Sequence, residues 1–431
     1  MHTIIHGDCL EELKKLDDNS VDAVVTDPPY GLSNTKPTQV ADVLAAWVTG
    51  DTEKVPAKRG GFMGKDWDSF VPPPAVWEEC MRVLKPGGHM AVFAGARTQD
   101  LMGLSIRLAG FEIRDTLGWI YGSGFPKSMD VSKAIDKAAG AEREITQHAT
   151  RELVQGDAIS FDQRTSSERE RRDIPATSEA QRWDGWGTAL KPAIEPIILA
   201  RKPLDGTVAN NVLAHGVGGL NIDACRVPSD TPIPSHHGTS GAAGVTMGKY
   251  RDYVPGSETA ASVENVQTAG RFPANVLLDE HAAKEMDKQS GVTKSPTGLI
   301  TQGGDHFSVG SEEKTRGTKF QGHGDSGGAS RFFPVFKYQA KAPKRERPVI
   351  VREDGTKVQH PTVKPLKLME WLVTLITPEG GTVLDPFAGT GTTLQAATNK
   401  GFHPIGIEAD TDYIQLIHQR MEGGTPSTRS S

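Results

Sequence analysis

One stretch near the carboxyl end narrows the folds open to this chain more than any other. Thr382-Val383-Leu384 has the pattern of a short buried strand, and it runs into Asp385-Pro386-Phe387-Ala388-Gly389-Thr390-Gly391-Thr392-Thr393. A helical pattern follows with Leu394, Ala396 and Ala397, and then His403-Pro404-Ile405-Gly406-Ile407 ends on Glu408. Strand, glycine loop, helix and a second strand ending in an acid make the first half of a nucleotide-binding α/β sheet. The glycines let backbone approach a ligand, and the acid can accept from both ribose hydroxyls. Asp385 and Glu408 stand a little over twenty residues apart, as such a half-sheet requires. The loop is Gly-x-Gly, whereas a dinucleotide pyrophosphate wants the longer Gly-x-Gly-x-x-Gly.

The amino-terminal end carries complementary chemistry. Thr3-Ile4-Ile5-His6 is a short strand ending in Gly7-Asp8-Cys9, and Leu10, Leu13 and Leu16 mark the helix after it. A second strand, Val21-Asp22-Ala23-Val24-Val25, runs into Thr26-Asp27-Pro28-Pro29-Tyr30-Gly31. Two prolines cannot continue a ladder, and they fix the turn that follows. An acid, a rigid bend and an aromatic ring thus sit at the carboxyl end of a strand, where open α/β sheets bind their ligands. The Asp27 carboxylate and the carbonyls of the Pro28-Pro29 turn can only accept hydrogen bonds. They can grip an exocyclic amino group and turn its lone pair towards an electrophile, while Tyr30 offers a face on which a planar base stacks. The plainer reading of the tetrapeptide alone is a capping Asp and an ordinary turn. From the order of the chain, Asp8 and Asp27 are expected to end two neighbouring strands and to face one pocket.

Between these ends the pattern alternates. Helices are expected over 74–84 and 97–109, strands over 89–93 and 111–119, as in a doubly wound sheet. Residues 31–70 have the texture of a mobile loop in which Phe62, Trp67 and Phe70 either cover a substrate or anchor the loop. Gly122-Ser123-Gly124-Phe125-Pro126-Lys127-Ser128 is not a phosphate loop, because Pro126 stands where a glycine amide is needed. Residues 136–182 are a charged insertion of mixed sign. Within 183–203, Glu195 to Lys202 is a strand expected to pair antiparallel with 111–119 and finish the sheet. Residues 204–356, rich in glycine and poor in long apolar runs, have the composition of a second, irregular domain. At its end, 331–352 holds Arg331, Lys337, Lys341, Lys344, Arg345, Arg347 and Arg352 among Phe332, Phe333, Phe336 and Tyr338. Basic groups with interleaved aromatics suit phosphate contacts and base stacking; a strand with an apolar core face and a solvated basic edge is the structural alternative.

Composition sets the outer bounds. A chain of 431 residues has room for two or more domains. Its net charge of −6 does not advertise a nucleic-acid partner, so any such contact must come from a local patch such as 331–352. Cys9, Cys80 and Cys225 form no metal-spaced cluster and no CxxC, which argues for a reducing compartment and against a structural zinc, and no metal is expected. No stretch is apolar enough to span a membrane. A cytoplasmic protein is expected.

Taken together, these motifs resemble the beta class of DNA amino-methyltransferases (N6-adenine and N4-cytosine methylases), with similarity to phage- or prophage-encoded members. In that family the Asp-Pro-Pro-Tyr motif comes first, the target-recognition region next, and the Phe-x-Gly-x-Gly motif last. Gly7-Asp8 and His360-Pro361-Thr362-Val363-Lys364-Pro365 match as well. The resemblance covers about residues 1–135, 183–203 and 331–421.

The resemblance implies a Rossmann-like, S-adenosylmethionine-dependent methyltransferase fold of the α/β class, circularly permuted. The catalytic domain is expected over 1–135, with a closing strand in 183–203, and the target-recognition domain over 204–356. The cofactor-binding part would cover 357–422, and 423–431 would be a flexible tail. It implies S-adenosylmethionine held by Asp385, Phe387, Gly389 and Gly391, with Glu408 on the ribose, Asp8 near the adenine ring, and Thr362 and Lys364 along the methionine end. Asp27, Pro28, Pro29 and Tyr30 match the catalytic motif, and double-stranded DNA is the implied partner, met through Lys337, Lys341, Lys344, Arg345 and Arg347. A homodimer and a monomer both remain open. Transfer goes directly to the amino nitrogen of a flipped base, so neither Cys9 nor Cys80 is needed as a nucleophile. In the family, Asp at the first motif position leans to adenine N6 and Ser to cytosine N4. A glutamine-amide methyltransferase, with Asn first, and a catalytically silent DNA-binding module are rival expectations.

Overall fold

The computed structural model describes residues 2–32, 37–50, 70–122, 124, 128–145, 173–229, 233–234, 267–268, 270–295, 297–301, 319–323, 325–336, 348–352, 354–359 and 363–422. It divides into a large compact unit, Met1–Ile120 with Glu195–Ser431, and a small one, Tyr121–Ile194.

The large unit is built on a nine-stranded sheet. Its strands are β1 (Thr3–His6), β2 (Val21–Thr26), β3 (Leu84–Phe93), β4 (Glu112–Ile120), β5 (Ile194–Arg201), β6 (Val276–Asp279), β7 (Val335–Phe336), β8 (Thr382–Asp385) and β9 (His403–Glu408). The order across the sheet is β1-β9-β8-β2-β3-β5-β4-β6-β7. Every pairing from β1 to β3 is parallel. The last two strands from the carboxyl end therefore lie between the first two from the amino end, with Ile5 beside Ile407 and Leu384 beside Val24. A mostly parallel sheet needs both faces covered, and its central strands are accordingly largely buried. All six residues of β2 are buried. Leu13, Val24, Trp77, Met90, Leu384 and Ile407 share one core with helices Pro74–Val83 and Gln99–Leu108 packed around them. Each such side chain contributes about 1.5–3 kcal/mol by leaving water.

Several expectations are corrected. The strand expected to finish the sheet is internal: β5 lies antiparallel to β3, with Met90 beside Ala200, and has β4 on its other side. The stretch 204–356 is not wholly separate, because β6 pairs parallel with β4 and β7 pairs parallel with β6. The expected loop at 31–70 contains a helix, Pro37–Thr49. Its Val43 and Ala46 are buried, and Trp47 meets Phe70 edge-on at 5.7 Å, so Phe70 is an anchor. Phe62 and Trp67 lie outside the described residues.

In the small unit, helices Val131–Ala138 and Ser178–Arg182 pack through a buried polar knot. Asp136 accepts from the amides of Ala176 and Thr177, the Thr177 hydroxyl and Arg143. Burial alone would raise the carboxyl of Asp136, but these donors hold it down at about 2. The Ser132 hydroxyl donates to the Ala180 carbonyl. Residues 146–172 of the expected charged insertion lie outside the described residues. No described helix is long and apolar enough to cross a membrane.

Candidate active site

Four acids stand along one edge of the sheet. Because β1, β9, β8 and β2 are neighbours running the same way, their carboxyl ends share that edge. Asp8 follows β1, Glu408 closes β9, Asp385 closes β8 and Asp27 follows β2. With adjacent strands about 4.8 Å apart, the row spans roughly 14 Å.

The turn after β2 is tightly held. Pro28 is buried, and the Tyr30 carbonyl accepts from the Thr98 hydroxyl at 2.6 Å. Gly31 has φ +65°, and a Cβ there would come within 2.7 Å of the Val71 amide nitrogen, so the chain can leave the turn only through a glycine. The Tyr30 hydroxyl donates to Asp27 Oδ1 at 2.8 Å. Lys364 Nζ donates to Asp27 Oδ2 at 2.7 Å and to Tyr30 Oη at 3.0 Å. Glu195 Oε2, from the start of β5, lies 3.2 Å from the same Nζ and 3.3 Å from Tyr30 Oη. Burial, together with the Asp27 and Glu195 charges, raises the Tyr30 phenol well above its ordinary value. Burial alone would lower Lys364, but the two carboxylates outweigh it and keep the ammonium charged.

The neighbouring loop is joined to this turn from below. The Thr26 hydroxyl donates to Asp385 Oδ1 at 2.6 Å, and both residues are buried. Asp385 also accepts from the Phe387 amide at 3.1 Å, yet burial pushes its carboxyl up to about 6. Gly389 and Gly391 take φ +54° and +76°, the left-handed region in which a glycine carries no penalty. The Gly389 amide donates to Glu408 Oε2 at 2.8 Å, and the Asp410 amide donates to Oε1 at 2.9 Å. These bonds fix the Glu408 carboxylate, which burial nonetheless pushes up to about 7. Arg420 holds the loop from behind through the Thr390 carbonyl at 2.7 Å. Phe387 lies against Trp77, ring centroids 6.3 Å apart. Asp8 is exposed and caps the helix Cys9–Leu13, accepting from the Leu10 amide at 3.0 Å.

The residues singled out in the sequence are thus partly assembled. Asp27, Pro28, Pro29, Tyr30, Asp385, Phe387, Gly389 and Gly391 lie on two adjoining loops, Glu408 at the end of β9 is bonded to the second of them, and Asp8 stands at the far end of the row. Lys364, expected along the methionine end of a cofactor, is seated on Asp27. Glu195 was not among the expected residues; as the first acid of an apolar strand it has no local signal. Thr362, Lys337, Lys341, Lys344, Arg345 and Arg347 lie outside the described residues. Of the basic stretch, Arg331 is bound to Asp325 at 2.8 Å and Arg352 is paired with Asp412. Phe336 is buried against Trp119 and Trp371, so it belongs to the core and is no stacking platform. Phe332 is 42% exposed, with the Arg331 guanidinium 4.2 Å from its ring centroid. Among the described residues no group of His, Cys, Asp or Glu could hold a metal ion.

The residues present are of the kind that suits S-adenosylmethionine. A fixed carboxylate at the end of β9 suits a ribose diol, left-handed glycines admit close backbone approach, and a row of acids suits a ligand that carries positive charge.

Comparisons with known proteins find DNA methyltransferases. Type II methyltransferase M.HindIII of Haemophilus influenzae is 24% identical over 440 residues, covering 97% of this chain and 94% of that protein. DNA adenine methyltransferase YhdJ of Escherichia coli K12 is 29% identical over 167 residues, 39% of this chain and 48% of that protein. The solved PvuII DNA methyltransferase, described as cytosine-N4-specific, is 13% identical, with 100% of this chain and 89% of that one covered. Its TM-score of 0.41 is too slight a likeness to bear on function. The family model described as DNA methylase, of the N6/N4 methyltransferase type, matches residues 21–419. The chain belongs to this N6/N4 DNA methylase family, and it is a DNA methyltransferase that uses S-adenosylmethionine.

Proposed function

We propose that this protein methylates the exocyclic N6 of adenine at a specific sequence in duplex DNA. The observation that carries the reading is the order of acids along the sheet edge. Asp8, Glu408 and Asp385, in that order, would hold the adenine side, the ribose and the approach to the methionine end of the cofactor. Phe387, Gly389 and Gly391 would line its path. Next in the row comes Asp27, where the amine to be methylated would be held. When bound, S-adenosylmethionine supplies an electrophilic methyl group. The chain's own part is orientation and electrostatics. A base flipped from the duplex, at a cost of a few kcal/mol, would stack on Tyr30. Asp27 and the Pro28 carbonyl would take its two amino hydrogens and leave the nitrogen lone pair free. Cys80 is buried, and burial pushes its thiol well up, which suits a reaction without a thiolate nucleophile.

Asp27 in first place favours adenine over cytosine, and the adenine activity named for the E. coli relative is in line with it. The glycine-rich stretch 204–356, with the basic run of Lys337 to Arg347, would supply target recognition and phosphate contacts. The test is expression in a host free of DNA methylation, followed by sequencing that detects modified bases. N6-methyladenine in one recurring motif is the expected outcome, and N4-methylcytosine would refute the adenine assignment. Asp27→Ala should abolish transfer while the affinity for S-adenosylmethionine stays within about twofold; near-normal turnover would overturn the role given to the turn.

A further inference from the structure

The catalytic turn already holds an amine of the chain's own. Lys364 Nζ occupies one oxygen of Asp27 at 2.7 Å, and the Tyr30 hydroxyl occupies the other at 2.8 Å. The Lys364 side chain is only 10% exposed. Its ammonium lies 4.8 Å from the Phe93 ring centroid and 5.2 Å from that of Tyr30. It is therefore an N–H donor on a carboxylate beside an aromatic ring, which is also a description of an exocyclic amino group held for methylation.

Resting on the reading that Asp27 grips the target amine, we propose that Lys364 fills the place of that amine in the resting enzyme. We further assign Glu195 as the positioning residue that takes over the ammonium when the base enters.

Three features carry this. First, the hand-over needs no unpaired intermediate. Stripping a buried ammonium of its partner leaves an uncompensated charge, which is strongly unfavourable. Glu195 already stands 3.2 Å from Nζ, so the ammonium can shift its weight from one carboxylate to the other without losing both. Second, two carboxylates share one ammonium. Once Lys364 has moved to Glu195, Asp27 remains an anion able to accept the incoming N–H groups; were Asp27 the sole partner, the amine would meet an acid already neutralised. Third, the sheet puts Glu195 where it must be. β5 is the antiparallel neighbour of β3, Phe93 pairs with Ile197, and the Ala94 amide donates to the Pro196 carbonyl. The start of β5 therefore lies at the same edge as the end of β2. The device also discriminates. A base that presents a carbonyl in place of an amino group brings no donor to replace Lys364, so Asp27 stays closed to it.

The test is a double-mutant cycle in the full chain, with Glu195→Gln, Lys364→Met and the two combined, on DNA that the wild type methylates. Single-turnover transfer of labelled methyl is measured at saturating S-adenosylmethionine and DNA, with both affinities determined separately. Glu195→Gln should slow transfer about tenfold or more while both affinities stay within about twofold, since coupled neighbours differ by such factors. In the Lys364→Met background the same change should cost less than about twofold. Equal losses in the two backgrounds would overturn the proposal.

A second measurement does not depend on turnover. With a fluorescent base analogue at the target position, Glu195→Gln should lower the flipped fraction and Lys364→Met should raise it, and the double variant should match Lys364→Met. A wild-type signal from Glu195→Gln would overturn the hand-over. Asp27→Ala separates the two ideas. Retained turnover there refutes the amine grip itself, whereas a dead Asp27→Ala together with an additive cycle refutes only the role of Glu195.

Discussion

Asp385→Asn should make the protein more stable at neutral pH and worse at holding its cofactor. The Asp385 carboxyl is 2% exposed, and burial pushes it from 3.8 up to about 6. A group whose folded pKa is raised contributes stability that is fully present below the unfolded value and lost as pH rises through the folded one. The wild type therefore loses stability between about pH 4 and pH 6, and a rise of this size in one carboxyl corresponds to about 3 kcal/mol. Asparagine keeps an acceptor for the Thr26 hydroxyl at 2.6 Å and the Phe387 amide at 3.1 Å, but carries no charge to bury. The stability difference between variant and wild type should thus grow from about 1 kcal/mol at pH 4.5 to about 3 kcal/mol at pH 8. Denaturant unfolding at a series of pH values reads it directly, and calorimetry with S-adenosylmethionine reads the cost. A difference that is flat across the series would refute the claim that Asp385 is ionised and buried at neutral pH.

Two further outcomes follow from the same loops. Thr26→Val removes the hydroxyl on Asp385 and should cost about 1–3 kcal/mol, more at pH 8 than at pH 5 because it is the ionised form that loses its donor; urea melts at the two pH values check it. Gly391→Ala places a side chain at φ +76° with its Cβ 3.0 Å from Ile417, which should cost about 1–2 kcal/mol and weaken cofactor binding, as thermal unfolding and calorimetry would register.

The parts of the site that were legible in the sequence are those in which one residue type has few other uses. A double proline after a buried run marks a turn whatever surrounds it, and a strand ending in Glu408 after Gly-x-Gly has a local logic. Contacts between distant segments were not legible. Nothing near Glu195 distinguishes it from any polar residue at the head of an apolar strand; its meaning comes from β5 being antiparallel to β3. The helix Pro37–Thr49 does carry a signal, with Val40, Val43, Leu44 and Trp47 at helical spacing, but its polar neighbours gave the stretch the texture of a loop. Val276–Asp279 is too short for periodicity to tell a strand of the main sheet from a fragment of an irregular domain. Phe336 lay among basic residues in the chain and among tryptophans in space, and packing decides which company counts.

On the proposed reading, the acid row would also account for a target brought to the enzyme as a base alone. A strip of four acids along roughly 14 Å of sheet edge, even with Glu408 pushed up to about 7 and Asp27 paired with Lys364, would favour a cationic cofactor over phosphate. A duplex laid along that edge would set its own charges against Asp8, Glu408, Asp385 and Asp27. Extruding one nucleoside lets an uncharged ring and its amine reach Asp27 while the backbone stays at a distance, where basic side chains can meet it. Lys364 fits the same logic. Seated between Asp27 and Glu195, it is the one cation placed on the catalytic acid among the described residues, and it leaves one net negative charge in its cluster. That charge is what an amino group can use and a phosphate cannot. On that reading, selection of an amine over an anion would be built into the floor of the site, before any contact reads the sequence of the DNA.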